Sequence, residues 1–280
     1  MKKALVTLTI GSAYREMGQI THPLMRAYAR RCEVDFLVLQ QPRVNSRYGL
    51  STRYEKFQLF ELLQYYDQIA FVDTDILLAP DAPSLFKLVP RDRFAAANES
   101  IYSQAERDKA LTQEILGKVE WRNPYFNSGV MVFGRAHRAV FDPASPNLLL
   151  WSTGDFRKRA VNLLNDQPYL NHRLNRLGIP LLDLGYRFNH TRCITATQTR
   201  FRSHFIHYSG PSGHRYGSRL EQLRKDAAVL KSPVRLWLSR RFDTYRWLAD
   251  RTDAAFLGYL LQTRARKTFS VGRDLHPRLE

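Results

Sequence analysis

Ile69-Ala70-Phe71-Val72-Asp73-Thr74-Asp75-Ile76-Leu77-Leu78 places two carboxylates two residues apart inside a run that carries no other charge. An apolar run of this kind, ended by Pro80, reads as a buried strand of a mainly parallel sheet. Side chains alternate faces along a strand, so Asp73 and Asp75 are expected on one face and Thr74 on the other. Two like charges held a few ångströms apart in a poorly polarisable setting repel unless something cationic lies between them. A divalent metal is the economical occupant, and a phosphate-rich ligand the economical reason for a metal. An Asp-x-Asp triplet is short and common, so a pair that caps a turn or binds Arg or Lys remains open on these residues alone.

Outward from this run, strand-like and helix-like segments alternate. Residues 4–10 read as a strand, and 21–32 as a helix with Thr21 as N-cap and Pro23 in its first turn. Residues 34–39 read as a strand and 54–66 as a helix with an apolar stripe. A strand at 94–98, a helix at 104–116 and a strand at 126–133 follow. A helix at 166–177 is stopped by Gly178 and Pro180, and a late strand covers 201–208. This order predicts an α/β fold, a mostly parallel central sheet flanked by helices, with ligands bound beyond the C-terminal strand ends. After Gly217 the pattern is helical, over 220–230, 234–249 and about 254–267. The chain therefore divides into an α/β domain, 1–217, and a basic helical extension, 218–280.

The 280 residues, 44% hydrophobic and 12% aromatic, are enough for a large core. Cys32 and Cys193 have no Cys or His at ligand spacing and suit a reducing compartment. No apolar run approaches the roughly 18 residues needed to span a bilayer. Lys2-Lys3 and the apolar residues behind them resemble a signal peptide, but the run is short, holds Thr7 and Thr9, and lacks a small-x-small cleavage site. A first strand explains it better, and a cytoplasmic protein is expected. The net charge of +17 suits contact with a polyanion, an anionic membrane or an anionic substrate. It is uneven, because residues 211–280 carry 15 Lys/Arg against 7 Asp/Glu.

Five blocks in order resemble the glycogenin-type glycosyltransferases, family 8. They are Val6-Thr7-Leu8-Thr9-Ile10-Gly11-Ser12-Ala13-Tyr14, Phe71-Val72-Asp73-Thr74-Asp75, Tyr125-Phe126-Asn127-Ser128-Gly129-Val130-Met131-Val132-Phe133, Asn165-Asp166-Gln167-Pro168-Tyr169-Leu170-Asn171 and Ile206-His207-Tyr208-Ser209-Gly210. They span about residues 3–216. The resemblance implies a GT-A type fold, a single nucleotide-sugar-binding domain, and a retaining transfer of a hexose from a UDP-sugar to a glycan or glycolipid acceptor. It implies Asp73, Asp75 and His207 as metal ligands. Mixed oxygen and imidazole ligation favours manganese, with magnesium as the alternative. Leu8, Thr9, Ile10 and Tyr14 match the wall around the nucleoside base, with Tyr14 stacked on uracil. Lys56 falls where the family places a cation near the donor. Asn127, with Ser128, Asp73 and Gly210, matches the donor contacts. Asp166 and Gln167 match the helix start at the reacting centre, where Gln167 is a polar neighbour of the sugar rather than a base, since an amide has no useful proton affinity.

The last block departs from the family. A lysine that reaches the diphosphate is replaced by Gly213 in Pro211-Ser212-Gly213-His214-Arg215, which leaves His214 or Arg215 to supply the charge. In the extension, Val234, Trp237 or Leu238, Phe242, Tyr245 and Leu248 share a helical face while Arg235, Arg240, Arg241 and Arg246 fall elsewhere. Such a basic amphipathic helix suits either a membrane surface or docking on the domain. Family relatives that build lipopolysaccharide or capsule carry similar tails, which points to a peripheral position on the inner face of the membrane and to cell-envelope polysaccharide synthesis. Two other classes stand against this reading. A non-catalytic membrane- or polyanion-binding protein on a degenerate scaffold explains the charge but not the full set of site residues. A nucleotidyltransferase lacks its Gly-rich phosphate loop. Nucleic acid is not an expected partner.

Overall fold

The structure, a computed structural model, describes residues 1–50, 52–101, 104–153, 166–193, 195–210, 213–214 and 217–251. Strands β1 (Lys3–Leu8), β2 (Asp35–Leu39), β3 (Gln68–Val72), β5 (Phe94–Asn98), β6 (Phe126–Gly134) and β7 (Leu181–Asp183) form one sheet in the order β2-β1-β3-β6-β5-β7. Strands β4 (Ile76–Leu78) and β8 (Phe205–His207) pair apart from it. Pairs β1–β2, β1–β3 and β5–β7 are parallel. Strand β6 runs against both β3 and β5, so it alone is reversed in the main sheet. The fold class is as expected from the alternating pattern.

The helices are α1 (Ser12–Arg31), α2 (Arg43–Tyr48), α3 (Leu59–Leu62), α4 (Leu85–Leu88), α5 (Ala105–Leu116), α6 (Pro146–Thr153), α7 (Asp166–Arg176), α8 (Arg219–Leu230), α9 (Pro233–Arg241) and α10 (Asp243–Arg251). Both faces of the sheet are covered. On one face Leu5, Ala70, Val72 and Val132 pack with Met25 and Tyr28 of α1 and with Leu223 and Ala227 of α8. On the other, Val6, Phe71, Phe94 and Phe133 pack with Phe57, Phe141, Trp151 and Tyr169. The strands alternate between the two clusters residue by residue, as a pleated backbone requires. Among the described residues no helix is long and apolar enough to cross a membrane.

Several element expectations are corrected. The run 69–78 is two strands, not one. β3 ends at Val72, and the Thr74 hydroxyl bonds the Leu8 carbonyl (2.7 Å) and the hydroxyls of Thr7 (3.0 Å) and Thr9 (2.8 Å). These bonds tie a turn to the end of β1 and send the chain into β4, in the other sheet. Helix α1 begins at Ser12, after Gly11 at φ 93°, so Thr21 is no cap. Thr21 is buried mid-helix, its hydroxyl donating to the Met17 carbonyl (3.2 Å). Pro23 is tolerated inside the helix because Met17, Met25, Tyr28 and Ala29 bury a full face. That burial outweighs an interior-proline cost of about 3 kcal/mol. Residues 54–66 form a 3₁₀ segment (Thr52–Gln58) followed by α3. The late strand 201–208 shortens to β8, behind a 3₁₀ turn (Thr197–Arg202).

The helix expected over 234–249 is broken at Phe242, whose backbone is extended, and the helix expected at about 254–267 lies outside the described residues. The C-terminal helices are tied to the sheet pair by buried charge. Arg200, fully buried, binds Asp226 of α8 through Nε (2.5 Å) and Nη2 (2.9 Å), and Asp250 of α10 through Nη1 and Nη2 (3.1 Å each). Tyr208 donates to the same Asp226 (2.5 Å), and Arg246 binds Asp250 (2.6 Å).

Removing one partner of a buried ion cluster leaves charge without compensation, at a cost of about 3–5 kcal/mol. Asp226→Ala is expected to lower the melting temperature, followed by circular dichroism, by on the order of 10 °C. A shift within about 2 °C would show that the cluster does not hold α8 to the sheet.

Candidate active site

One cleft, of about 620 Å³, opens where the parallel strands end. Leu8 and Ile10 enter it past the end of β1, and Asp73, Thr74 and Asp75 past the end of β3. Reversed β6 brings its first residues, Asn127, Ser128 and Gly129, to the same rim. The start of α7 contributes Asp166 and Gln167, the end of β8 His207, and the start of α8 Arg219. The site thus assembles at the C-terminal ends of the parallel strands, where such sheets bind ligands.

Asp73, Asp75 and His207 form its acidic floor, with one ligand atom from each lying within 4.8 Å of the others. The turn at Thr74, rather than a shared strand face, brings the two carboxylates together. His207 arrives from β8, which pairs with β4 so that His207 faces Ile76. The Tyr208 amide donates to the Asp75 carbonyl (3.0 Å), and His207 Nε2 lies 3.4 Å from Asp75 Oδ1. Gly129 makes room for the ring. A Cβ there would stand 2.5 Å from His207 Cε1 and 2.9 Å from Asn127 Oδ1.

The charges around this floor do not balance. Lys56 lies 3.3 Å from Asp73 and 2.7 Å from Asp166, and also donates to the carbonyl and hydroxyl of Ser128 (3.1 and 3.2 Å). Arg219 bonds Asp75 Oδ2 (2.9 Å). Against these two permanent cations stand Asp73, Asp75, Asp166 and Glu99, an excess of two negative charges. A pair of like charges 4 Å apart repels by about 4 kcal/mol at an effective dielectric of ~20. Burial pushes Asp73 up to about 6, against the opposing pull of Lys56 and with Asp75 adding to the rise. Burial would raise Asp75 too, but His207 and Arg219 hold it below the usual carboxylate range. Burial alone would lower His207, yet the carboxylates of Asp75 and Asp73 raise it. Lys56 is likewise raised, because Asp166 and Asp73 outweigh its burial. Two carboxylates and one imidazole around an uncompensated charge of two suit a divalent cation of intermediate hardness.

Beyond the floor the cleft is lined by amides. Asn127 Nδ2 and Gln167 Nε2 both donate to Glu99 Oε2 (3.0 Å each). The Ser128 amide donates to Gln167 Oε1 (3.2 Å), and Ser128 Oγ to Asp166 (2.9 Å). Asn127 Oδ1 receives the Gly129 amide (2.9 Å) and Asn189 Nδ2 (2.8 Å).

Of the residues expected from sequence, Leu8, Ile10, Tyr14, Lys56, Asp73, Asp75, Asn127, Ser128, Asp166, Gln167, His207 and Gly210 line the cleft. Tyr14 stands half-exposed in the first turn of α1, with the Arg219 guanidinium 5.8 Å from its ring. Thr9 lies behind the wall, its hydroxyl held by Thr74 (2.8 Å) and His22 (3.1 Å). His214 is turned inward against Tyr208 and His190, and burial holds its ring well below the ordinary imidazole range. Arg215, Pro211 and Ser212 lie outside the described residues, as does Asn165.

Three residues that complete this region escape sequence reasoning. Arg219 meets Asp75 from 144 residues away, a distance no local pattern encodes. Asn189 sits in a loop without periodicity. Glu99 did leave a signal, since a lone acid at the end of the apolar strand Phe94-Ala95-Ala96-Ala97 has the same form as Asp73 at the end of β3.

The profile of one family, described as Glycosyl transferase family 8, matches residues 12–212. No curated protein sequence matches the chain. Among solved structures, the bifunctional glycosyltransferase WbbM in its apo form is similar over 86% of this chain and 51% of that one, with 15% identity and a TM-score of 0.52. An active-site mutant of LgtC is similar over 85% of this chain and 99% of that one, with 14% identity and a TM-score of 0.50. Galactosyltransferase LgtC in complex with donor and acceptor sugar analogs covers 82% and 96%, with 17% identity and a TM-score of 0.47. At such identities the first two speak for the fold alone.

Because the space at Gly129 is filled by the His207 ring, Gly129→Ala is expected to push that ring off the acidic floor. Manganese binding, titrated by electron paramagnetic resonance, should weaken at least tenfold while the chain stays folded. Unchanged manganese affinity would show that the ring is not held by this contact.

Proposed function

Since the chain belongs to glycosyl transferase family 8 and is a glycosyltransferase, we propose that it transfers a hexose from a UDP-sugar to a glycan or lipid-linked acceptor, with retention of anomeric configuration. The observation that carries this reading is the Asp73, Asp75 and His207 cluster on the floor of a cleft rimmed by Tyr14. Asp73, Asp75 and His207 would hold manganese, or magnesium in its place. When bound, the ion supplies Lewis-acid neutralisation of the charge that builds on the departing diphosphate.

The chain's own residues do the rest. Tyr14 stacks on the uracil, worth about 1–3 kcal/mol, with Leu8 and Ile10 beside it. Arg219, already at the cleft, offers the diphosphate a planar fork and takes the part of the lysine that the last sequence block lacks. Lys56 holds Asp73 and Asp166 at fixed separation. Asn127, Ser128, Asp166 and Gln167 line the sugar side and orient its hydroxyls. The acceptor hydroxyl attacks the anomeric carbon from the face the diphosphate is leaving. Its proton passes to a leaving phosphate oxygen, since Asp166 is engaged by Lys56 and Ser128 and the amide of Gln167 is no base. The completeness of this set argues against a non-catalytic scaffold.

We also propose that the enzyme works in cell-envelope polysaccharide synthesis, in the cytoplasm, at an anionic membrane face. Val234, Trp237, Phe242 and Leu248 are 68%, 58%, 47% and 50% exposed, while Leu236 and Ser239 face the core. Of the arginines on these helices, Arg240 is held by Asp81 (2.6 Å) and Arg246 by Asp250, whereas Arg235 and Arg241 are exposed beside the apolar residues. Apolar side chains flanked by exposed arginines suit an anionic bilayer surface.

Purified protein supplied with manganese and a panel of UDP-hexoses is expected to release UDP from at least one, and that donor should raise the melting temperature. Asp75→Asn should lower UDP release at least 100-fold; undiminished release would remove the metal from the reaction. In flotation with anionic vesicles, Trp237→Asp with Phe242→Asp should cut the bound fraction several-fold, and equal binding would remove this face from membrane contact.

A further inference from the structure

His207 can serve a cation only through a ring nitrogen that carries no proton, so what fixes its tautomer decides the site. The answer follows from groups whose hydrogen-bonding sense cannot change. The Gly129 amide is a donor only and points at Asn127 Oδ1 (2.9 Å), which makes that atom the oxygen and sends the Asn127 NH₂ to Glu99 (3.0 Å). The same oxygen lies 2.8 Å from the side chain of Asn189, which must therefore donate to it with its own NH₂. Asn189 is then left presenting its carbonyl Oδ1 to His207 Nδ1, 2.8 Å away. An oxygen there demands a hydrogen on Nδ1. Nε2, the nitrogen that faces Asp75 at 3.4 Å, is the one left with an available lone pair.

We infer that Asn189 is a positioning residue for the metal site, holding His207 in its Nδ1–H tautomer through a buried amide chain that runs from Glu99 through Asn127. Glu99 secures the far end twice, because Gln167, its own oxygen fixed by the Ser128 amide, donates to the same carboxylate oxygen. One buried carboxylate thus aligns the imidazole of the metal floor and the amide of the sugar side. Asn189 and Glu99 are both shielded from solvent, so water does not compete for these bonds. The tautomer is set whether or not Nε2 holds a proton, because every constraint acts at Nδ1. With the opposite tautomer, Nδ1 and Asn189 Oδ1 would meet as two acceptors and Nε2–H would point at the ion's place. The inference rests on the metal reading of Asp73, Asp75 and His207, and it assigns this chain a ligand-orienting partner of the kind that changes metal affinity by about 10–100-fold when removed.

The test measures manganese binding to the full-length protein by electron paramagnetic resonance, with and without UDP, together with long-range ¹H–¹⁵N spectra of the imidazoles, assigned by comparison with His207→Gln. The wild type is expected to bind manganese and to show His207 as a single Nδ1–H tautomer above the range where the ring is protonated. Asn189→Leu, which keeps the volume but offers no acceptor, should weaken manganese binding about 10–100-fold and mix the tautomers. Asn189→Asp keeps an acceptor for Nδ1–H but loses the donor to Asn127, so it should restore the single Nδ1–H tautomer. Equal binding by Asn189→Leu and wild type, mixed tautomers in Asn189→Asp, or an Nε2–H ring in the wild type would each overturn the role of Asn189. A wild type that binds no manganese would instead overturn the metal reading on which it rests.

Discussion

The site is organised by a surplus of buried negative charge. Asp73 and Asp75 flank one turn, Asp166 and Glu99 stand close by, and the cations fixed in the fold, Lys56 and Arg219, are too few to balance them. In a poorly polarisable interior such an arrangement is costly unless it is finished by a ligand. The raised affinity of Asp73 and His207 for protons is the mark that the fold leaves on the site. Burial here works against stability and toward binding.

The scaffold explains how that charge can be held at all. Both faces of the main sheet are covered, so its strands are nearly continuous apolar runs and the acids appear only where strands end. The hydroxyls of Thr7, Thr9 and Thr74 close the space between β1 and the turn after β3. Reversed β6 begins where β3 ends, which delivers Asn127 and Ser128 beside Asp73. Its Gly129 lies against His207, so the strand that supplies Asn127 also shapes the acidic floor. The buried Arg200 cluster then fixes α8 to Tyr208, one residue from His207, and brings Arg219 to the cleft.

Local chemistry was legible wherever a residue broke a pattern. Asp73 and Asp75 stood out because a run of apolar side chains has no ordinary use for acids, and Asp166 with Gln167 because they open a helix. Gly178 and Pro180 marked where that helix stops. Errors arose where tertiary contacts overrode local preference. Thr21 with Pro23 has the form of a helix start, but the face buried around Met17 and Met25 carries the helix back to Ser12. The apolar run 69–78 has the form of one strand, but the Thr74 hydroxyl divides it.

The sequence by itself determined the α/β class and the residue types of the acidic floor, because these follow from periodicity, from the cost of burying a charge, and from motif order. Only the tertiary structure decided that α8 belongs to the core, that His214 turns inward while Arg219 faces the cleft, and that Glu99, Asn127 and Asn189 form one chain to His207. Those facts depend on contacts between segments as much as 144 residues apart. The direction of a side chain across such distances is set by packing and by which donor meets which acceptor, and no local pattern records it.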